Sequence, residues 1–437
     1  MNGSAKAPKN STRRVVFASF IGTALEWYDF FVYGAVAALV FGKIFFPGYD
    51  ETTGLLLAFG TFTVGFIARP AGALLFGHMG DTVGRKRVLV ITMLLMGVST
   101  VGIGLLPTYE QIGIASTLLL ILMRVGQGLA LGGEWGGAVL MAAENGDEKN
   151  RGFHTSSAQI GVPVGNLLSV GVIAIVSFLL SEEQFVSWGW RIPFLASAVL
   201  ILAGLWVRSG LHESPEFVAL AEKRETQSNP LMELLKKYPR ELTIACFIRI
   251  GTDVAFYVFS LFVLTYVTTS LGVQRSIALQ GVLIASAIQI LIIPVAASLS
   301  DRYGRRGIFL TGSIGAAIWS FPFFMLLDTR DPTLITVAIC VAMTLWALMY
   351  GPLAAFVTEL FPTNVRYSGI SLGFQLAGIF GGGLAPLIAT WLLSEFNSAL
   401  AISVYVALAL ALTTIAMITS RKGGKSHTSP TISMAAN

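Results

Sequence analysis

Apolar runs of roughly 20 residues or more recur along this chain, each long enough to cross a hydrocarbon core of ~30 Å as a helix. No other feature constrains the fold as strongly, because lipid offers a bare peptide group no hydrogen-bond partner. Only helices, or strands closed into a barrel, satisfy the backbone there. Strand-length alternation is absent, which argues against a barrel. Twelve spans are expected, near 15–42, 54–79, 88–107, 111–142, 153–180, 190–208, 241–270, 277–300, 308–327, 333–357, 367–393 and 399–419. Composition agrees: 12% of residues are charged, against about 25% in a soluble domain, and mean hydropathy is +0.73.

The basic residues supply the topology. Alternating sides from a cytoplasmic N-terminus puts 22 of the 29 Lys and Arg inside, and only Lys43, Arg191, Arg275 and Arg330 outside. That asymmetry predicts two cytoplasmic termini. It also accounts for the net charge of +5 without a nucleic-acid partner. A cleaved signal peptide is not expected, since the first apolar run is long and carries Glu26 and Asp29. Cys246 and Cys340 lie in apolar segments, and nothing in the sequence calls for a disulfide framework, a metal or a cofactor.

An internal repeat divides the chain. Gly80–Arg87 (GDTVGRKR) recurs as Ser300–Gly307 (SDRYGRRG), pairing Asp81 with Asp301 at an offset of 220. Glu144 precedes Arg151 by seven residues and Glu359 precedes Arg366 by seven, an offset of 215. Two matches at nearly one shift predict two six-helix bundles built on one plan, as in carriers that rock around a midplane site. The expected division is a cytoplasmic tail at 1–14, an N-terminal bundle at 15–208, a cytoplasmic linker at 209–240, a C-terminal bundle at 241–420 and a cytoplasmic tail at 421–437. Within the linker, Ser214-Pro215-Glu216 reads as a helix start, and Leu231–Lys237 as an amphipathic helix on the membrane surface.

Gly77-x-x-x-Asp81-x-x-Gly84-Arg85-Lys86-Arg87 resembles the signature of the major facilitator superfamily between its second and third helices. Thr82 departs from the usual basic residue there, and Arg302 restores it in the second copy. Glu26–Phe30 (EWYDF), Ala68-Arg69-Pro70, Gly132–Gly137 (GGEWGG), Trp188–Phe194 (WGWRIPF) and Glu213–Phe217 (ESPEF) look like the metabolite:proton symporter branch, and within it the shikimate-type transporters. The resemblance covers about 19–420. It implies the all-α major facilitator fold with about 12 transmembrane helices in two pseudo-symmetric six-helix bundles. It implies residence in a bacterial cytoplasmic membrane, a monomer, and a small-molecule substrate moved together with protons. At the helix junctions it implies a cytoplasmic latch involving Asp81, Gly84 and Arg85 and their copies Asp301, Gly304 and Arg305. Glu144, Arg151, Glu359 and Arg366 belong to the same gating set. A simpler reading, topogenic charge plus a tight turn, is compatible with that one.

Charge inside the spans is what needs explaining, since an isolated ion at mid-bilayer costs roughly 2.5–3.5 kcal/mol on the mildest scale. Glu26 and Asp29 lie at i, i+3, a spacing expected to turn both to one helix face as a coupled pair that carries the proton. Arg69 and Arg124, at comparable depth, are expected to stand opposite and to clamp a substrate carboxylate with a planar fork. The alternative for either arginine is a fixed ion pair that holds the bundle together. Tyr33, Gln127, Gln159, Tyr257 and Gln375 are candidate substrate contacts, with Asn166 and Tyr350 beside them; core hydrogen bonding is the competing role for each. Glu134 suits gating, structure or proton relay. Arg249 and Asp253, at i, i+4, read as a local salt bridge first and a substrate group second.

The function expected is proton-coupled uptake of a small organic acid: shikimate-like, hydroxy- or dicarboxylic. A zwitterion such as proline or betaine is the alternative, if Glu26 and Asp29 consume the positive charge. A channel or a receptor is a weaker rival. Enzyme chemistry is not expected: Gly369–Gly373 matches the nucleophile-elbow pattern but lies in an apolar helix rather than a strand–turn–helix.

Overall fold

A computed structural model of the protein describes residues 12–83, 85–132, 150–209, 230–362 and 365–420; within these, the side chains of 12–19, 77–78, 80–83, 85–86, 89, 206–209 and 230–231 are not described. Twelve long helices account for almost all of it: α1 (Thr12–Val36), α2 (Glu51–Val83), α3 (Arg85–Leu105), α4 (Ile114–Gly132), α5 (Arg151–Leu179), α6 (Arg191–Ser209), α7 (Pro239–Tyr257), α8 (Arg275–Tyr303), α9 (Arg305–Asp328), α10 (Pro332–Leu360), α11 (Arg366–Gly378) and α12 (Ala399–Thr419). Three of them run on through π-helical turns: α1 through Ala37–Phe41, α7 through Val258–Phe262, and α11 through Ile379–Gly383 into Ala385–Phe396. Ten helices are long and apolar enough to span a membrane; α6 joins the short helix before it at a 51° bend, and α3 contributes the shorter apolar stretch Val90–Leu105. No strand occurs among the described residues.

The pairing of helices repeats with a shift of six. In the first half α1 packs on α5, α2 on α4 and α3 on α6; in the second, α7 packs on α11, α8 on α10 and α9 on α12. The halves meet where α5 lies along α8 and where α2 meets the π turn of α11. Those two contacts are also related by the same shift, so each half presents equivalent surfaces to the other. The surface helix Pro230–Lys237 leads into α7 and buries Leu234, while Met232, Leu235 and Lys237 stay exposed. This is the amphipathic element read from the sequence. The Ser214-Pro215-Glu216 helix start, Gly84, Glu134 and Glu144 lie outside the described residues, as do the side chains of Asp81 and Arg85.

Without a hydrophobic force between helices in lipid, close backbone approach does the packing. A Cβ on Gly132 would stand 2.0 Å from the carbonyl oxygen of Arg69, and one on Gly128 would stand 2.2 Å from that of Gly65. These two glycines let α4 lie directly on α2 and so set the depth at which Arg69 and Arg124 face inward. We predict that Gly132→Ala lowers the thermal unfolding midpoint of the purified protein, at an overpacking cost of about 1–3 kcal/mol. Gly60→Ala, where an added Cβ meets nothing within 4 Å, should leave the midpoint unchanged or raise it. Equal melting of the two variants would mean that the α2–α4 contact is not tight.

Candidate functional site

A small cleft of about 30 Å³ lies between the halves, lined by Glu26 and Trp27 of α1, Arg69 of α2, Arg249 of α7, and Phe374 and Gln375 of α11. Arg69 is followed by Pro70, yet α2 continues through that position without a break. Its guanidinium sits 3.9 Å from the ring centre of Phe66 and 4.4 Å from that of Phe30. Tyr257 of α7 packs edge-on against Phe66 and Phe62, with its centroid 5.6 Å and 5.8 Å from theirs. Arg249 is held by Asp253 in a bidentate pair, Nη2 to Oδ1 at 2.7 Å and Nε donating to Oδ2 at 2.9 Å. That is the i, i+4 salt bridge expected from spacing. Among the described residues, three guanidinium nitrogens of the lining arginines, Arg69 Nε and Nη2 and Arg249 Nη1, are buried without a hydrogen-bond acceptor.

Asp29 is in a different place. Its carboxylate is buried and accepts from the Ser197 hydroxyl of α6. Arg124 of α4, fully buried, donates through Nη1 to Gln127 Oε1 at 2.9 Å and through Nε and Nη2 to the Phe62 carbonyl at 3.4 Å and 3.3 Å. Its charge lies over three rings, 4.2 Å from Tyr33, 4.4 Å from Phe30 and 4.7 Å from Phe62. Gln127 Nε2 in turn donates to Thr100 Oγ1 at 2.8 Å. Arg124 and Asp29 are therefore not paired: the hydrogen bonds from Arg124 run through Gln127 to Thr100, whose hydroxyl donates to the Met96 carbonyl at 2.9 Å.

This geometry corrects two expectations. Glu26 and Asp29 do not share one environment: i, i+3 leaves side chains about 60° apart around a helix, so Glu26 lines the cleft while Asp29 turns between α3 and α6. The Ser197 hydroxyl stands in place of the guanidinium expected opposite Asp29. Of the candidate substrate contacts, Arg69 and Gln375 line the cleft, and Gln375 also donates to the Gly132 carbonyl at 3.1 Å. Tyr257 stands behind Arg69. Tyr33 is spent on Thr61 at 2.6 Å and on the Arg124 guanidinium, and Gln127 on Arg124 and Thr100. Gln159 donates to the Tyr350 carbonyl at 2.6 Å and Asn166 to Ser286 at 3.0 Å, both across the α5 interface with the second half. Trp27 and Phe374 were not singled out for the cleft, because an aromatic residue in an apolar run looks like core. Ser371 sits on the α11 helix, so the Gly369–Gly373 pattern has no elbow.

The second-half junction reaches across to the first. Gly304 makes the α8–α9 turn at φ 94°, a region glycine tolerates. Arg305 binds Asp301 and Ser300, and lies 3.2 Å from Glu359. The two Asp301 oxygens accept from the Gly152 and Phe153 amides at 3.0 Å each, at the start of α5. A carboxylate on two amides at a helix N-terminus is a favourable charge–dipole contact. Arg151 lies at that helix start, and Arg366 donates within its own half to the Phe361 carbonyl at 3.2 Å. At the opposite end of the cleft the halves join through Thr265 on the Ala38 carbonyl at 3.1 Å, Thr63 on the Gly383 carbonyl at 2.7 Å, and the Arg275–Glu182 ion pair.

Two pseudo-symmetric bundles that enclose a charged cleft and are tied at both ends define a membrane carrier. The chain belongs to the Major Facilitator Superfamily, whose family profile matches residues 19–381. It is 42% identical to the inner membrane metabolite transport protein YhjE of Escherichia coli over 94% of each chain, and 40% identical to the shikimate transporter of the same organism over 88% of each. The proline/betaine transporter of Escherichia coli is 36% identical over 88% of this chain and 78% of its own. Among solved structures, the proton:xylose symporter XylE superposes with a TM-score of 0.74 at 18% identity, covering 93% of this chain and 94% of that one; this is a likeness of fold. The protein is a multi-pass membrane transporter and not an enzyme.

If the Asp301 contact holds one end of the cleft shut, Asp301→Ala removes its two charge-assisted bonds to the first half, along with the pair to Arg305. Each is worth roughly 1.5–3 kcal/mol, enough to shift a two-state balance tenfold or more. In a background lacking Cys246 and Cys340, a cysteine placed at Thr23 in the cleft should then react several-fold faster with a thiol reagent applied from the side of the chain termini. Unchanged labelling of a folded Asp301→Ala protein would reduce this contact to a topological role.

Proposed function

We propose that this protein is a proton-coupled symporter that imports a small organic acid across a bacterial cytoplasmic membrane by alternating access, as a monomer with both termini in the cytoplasm. The observation that carries the reading is the convergence of Arg69 and Arg249, one from each half, on a single cleft with three buried N–H donors that lack acceptors. A buried donor left unpaired costs about 1–3 kcal/mol, so an acceptor belongs there, and a carboxylate fits a planar fork best. Because the two arginines come from opposite bundles, a bound anion ties the halves together. Charge supports proton coupling. Glu26 and Asp253 balance Arg69 and Arg249, a monoanion adds one negative charge, and one proton on Glu26 cancels it. Asp29 is then the second proton site, out of reach of the substrate. The basic residues at the helix junctions support the orientation.

A shikimate-like or hydroxy acid is favoured over a dicarboxylate because Asp253 already occupies two donors of Arg249. A zwitterion is the second reading: Trp27 lines the cleft, and an aromatic ring is a usual partner of a quaternary ammonium.

The test is a thermal-shift screen of purified protein against monocarboxylates, dicarboxylates, proline and betaine, followed by vesicle uptake driven by an imposed pH gradient. Stabilisation by monocarboxylates and uptake that collapses with a protonophore are expected; stabilisation by betaine alone would favour the second reading. Arg69→Lys and Arg249→Lys should each weaken binding of the stabilising acid about tenfold or more, since a point charge does not reproduce the fork. Normal binding by both would make the arginines structural. Asp29→Asn should abolish uphill accumulation while exchange between equal pools persists; accumulation by that variant would remove Asp29 from coupling.

A further inference from the structure

We propose that Asp253 sets the charge of the substrate: it occupies, from within the protein, the arginine fork that a second substrate carboxylate would take. The inference deepens the carboxylate reading above and rests on it.

The two arginines that line the cleft present the same edge in opposite states. A guanidinium has five N–H bonds, and Nε with Nη2 forms a side fork that matches the two oxygens of a carboxylate. On Arg249 that fork is filled: Nε donates to Asp253 Oδ2 at 2.9 Å, and Nη2 lies 2.7 Å from Oδ1. On Arg69 the corresponding Nε and Nη2 are both buried without an acceptor among the described residues. Both side chains are more than nine-tenths buried, at 5% and 7% exposure, which makes an open fork costly. Asp253 therefore stands to Arg249 as a substrate carboxylate would stand to Arg69.

The pair is closely packed. Asp253 is buried and lies one helical turn beyond Arg249. A Cβ on Gly381 would stand 2.9 Å from the Asp253 Cβ and 2.6 Å from the Ile250 carbonyl oxygen, so the π turn of α11 presses on α7 beside the pair. The Arg249 guanidinium lies 4.7 Å from the ring centre of Phe374 and 5.7 Å from that of Tyr350. Its unfilled nitrogen, Nη1, can meet one substrate oxygen without displacing Asp253. A monoacid then fills the Arg69 fork and touches Arg249, and no second fork is on offer.

Charge leads to the same answer. Arg69 and Arg249 carry two positive charges, which Asp253 and a monoanion cancel once Glu26 is protonated. A dianion in the same cleft leaves one negative charge uncompensated inside the membrane, which is expensive. With Asp253 made neutral, a dianion and the same single proton restore the balance. A buried ion pair seldom stabilises more than apolar residues of similar size would. Selection of substrate charge gives this pair a reason that stability does not.

The test compares acids that differ by one carboxylate: lactate against malate, and propionate against succinate, with shikimate as a ring monoacid. Dissociation constants are read on purified full-length protein in lipid nanodiscs from tryptophan fluorescence, to which Trp27 of the cleft contributes. Wild type should bind the monoacid of each pair more tightly. Asp253→Asn keeps the shape and loses the charge, and should shift the ratio of the two constants about tenfold or more toward the diacid, the worth of one charge-assisted bond. Asp253→Glu retains the carboxylate and should retain the wild-type order. Adding Arg249→Gln to Asp253→Asn should abolish the gain. An unchanged ratio in folded Asp253→Asn, or a gain that survives the loss of Arg249, overturns the proposal. A second measurement uses wild type alone, with isotope-labelled arginine followed by NMR. A bound monoacid should move the Nε–H resonance of Arg69 and leave that of Arg249 at its hydrogen-bonded position. Loss of that position would mean that substrate displaces Asp253, and would equally overturn the proposal, whether or not Asp253→Asn folds. If no acid binds wild type, the carboxylate reading itself fails.

Discussion

A charge inside a bilayer has no water to fall back on, and every other feature of this molecule accommodates that constraint. Arg124 meets it without a carboxylate: one carbonyl, one amide oxygen and three ring faces hold the guanidinium in a dry pocket. Arg249 meets it with a bidentate aspartate on its own helix. Arg69 meets it least completely, with ring faces and unfilled donors. The two that line the cleft, Arg69 and Arg249, are the ones with unfilled donors, whereas Arg124 is fully bonded away from it.

The second consequence is that the two halves share little covalent or charged connection near the cleft. Their polar contacts are single bonds, such as Asp301 on the α5 amides, Asn166 on Ser286 and Thr265 on the Ala38 carbonyl, beside long packing of α5 along α8. Contacts of this kind are individually modest and release one at a time.

Much of the architecture was legible in the chain. Twelve spans, their halving and the placement of Asp301 and Gly304 at a turn follow from apolar run length and from a repeated motif, both local properties. Arg69 and Gln375 were rightly read as facing inward, and Arg249 with Asp253 as a salt bridge. Partner identities were less accessible. Tyr33, Gln127 and Gln159 looked like cavity polars, and each is bonded to a protein group instead, because a polar residue in a span faces inward for either reason. Asp29 looked like the twin of Glu26, and 60° of helix rotation put it against α6.

The sequence by itself determined that this protein is a helical, two-bundle membrane carrier with charge at mid-depth. Hydrophobic length, helical period and positive-charge asymmetry act residue by residue and need no partner to be read. Only the tertiary structure decided which acid shares the cleft with Arg69 and Arg249, and that Arg124 is bonded to Gln127 and the Phe62 carbonyl rather than to Asp29. Those assignments depend on how α3, α4 and α6 rotate against α1, and the rotation is set by close contacts such as Gly132 on Arg69, between residues 63 positions apart in the chain. No local pattern encodes an angle fixed by two backbones pressed together.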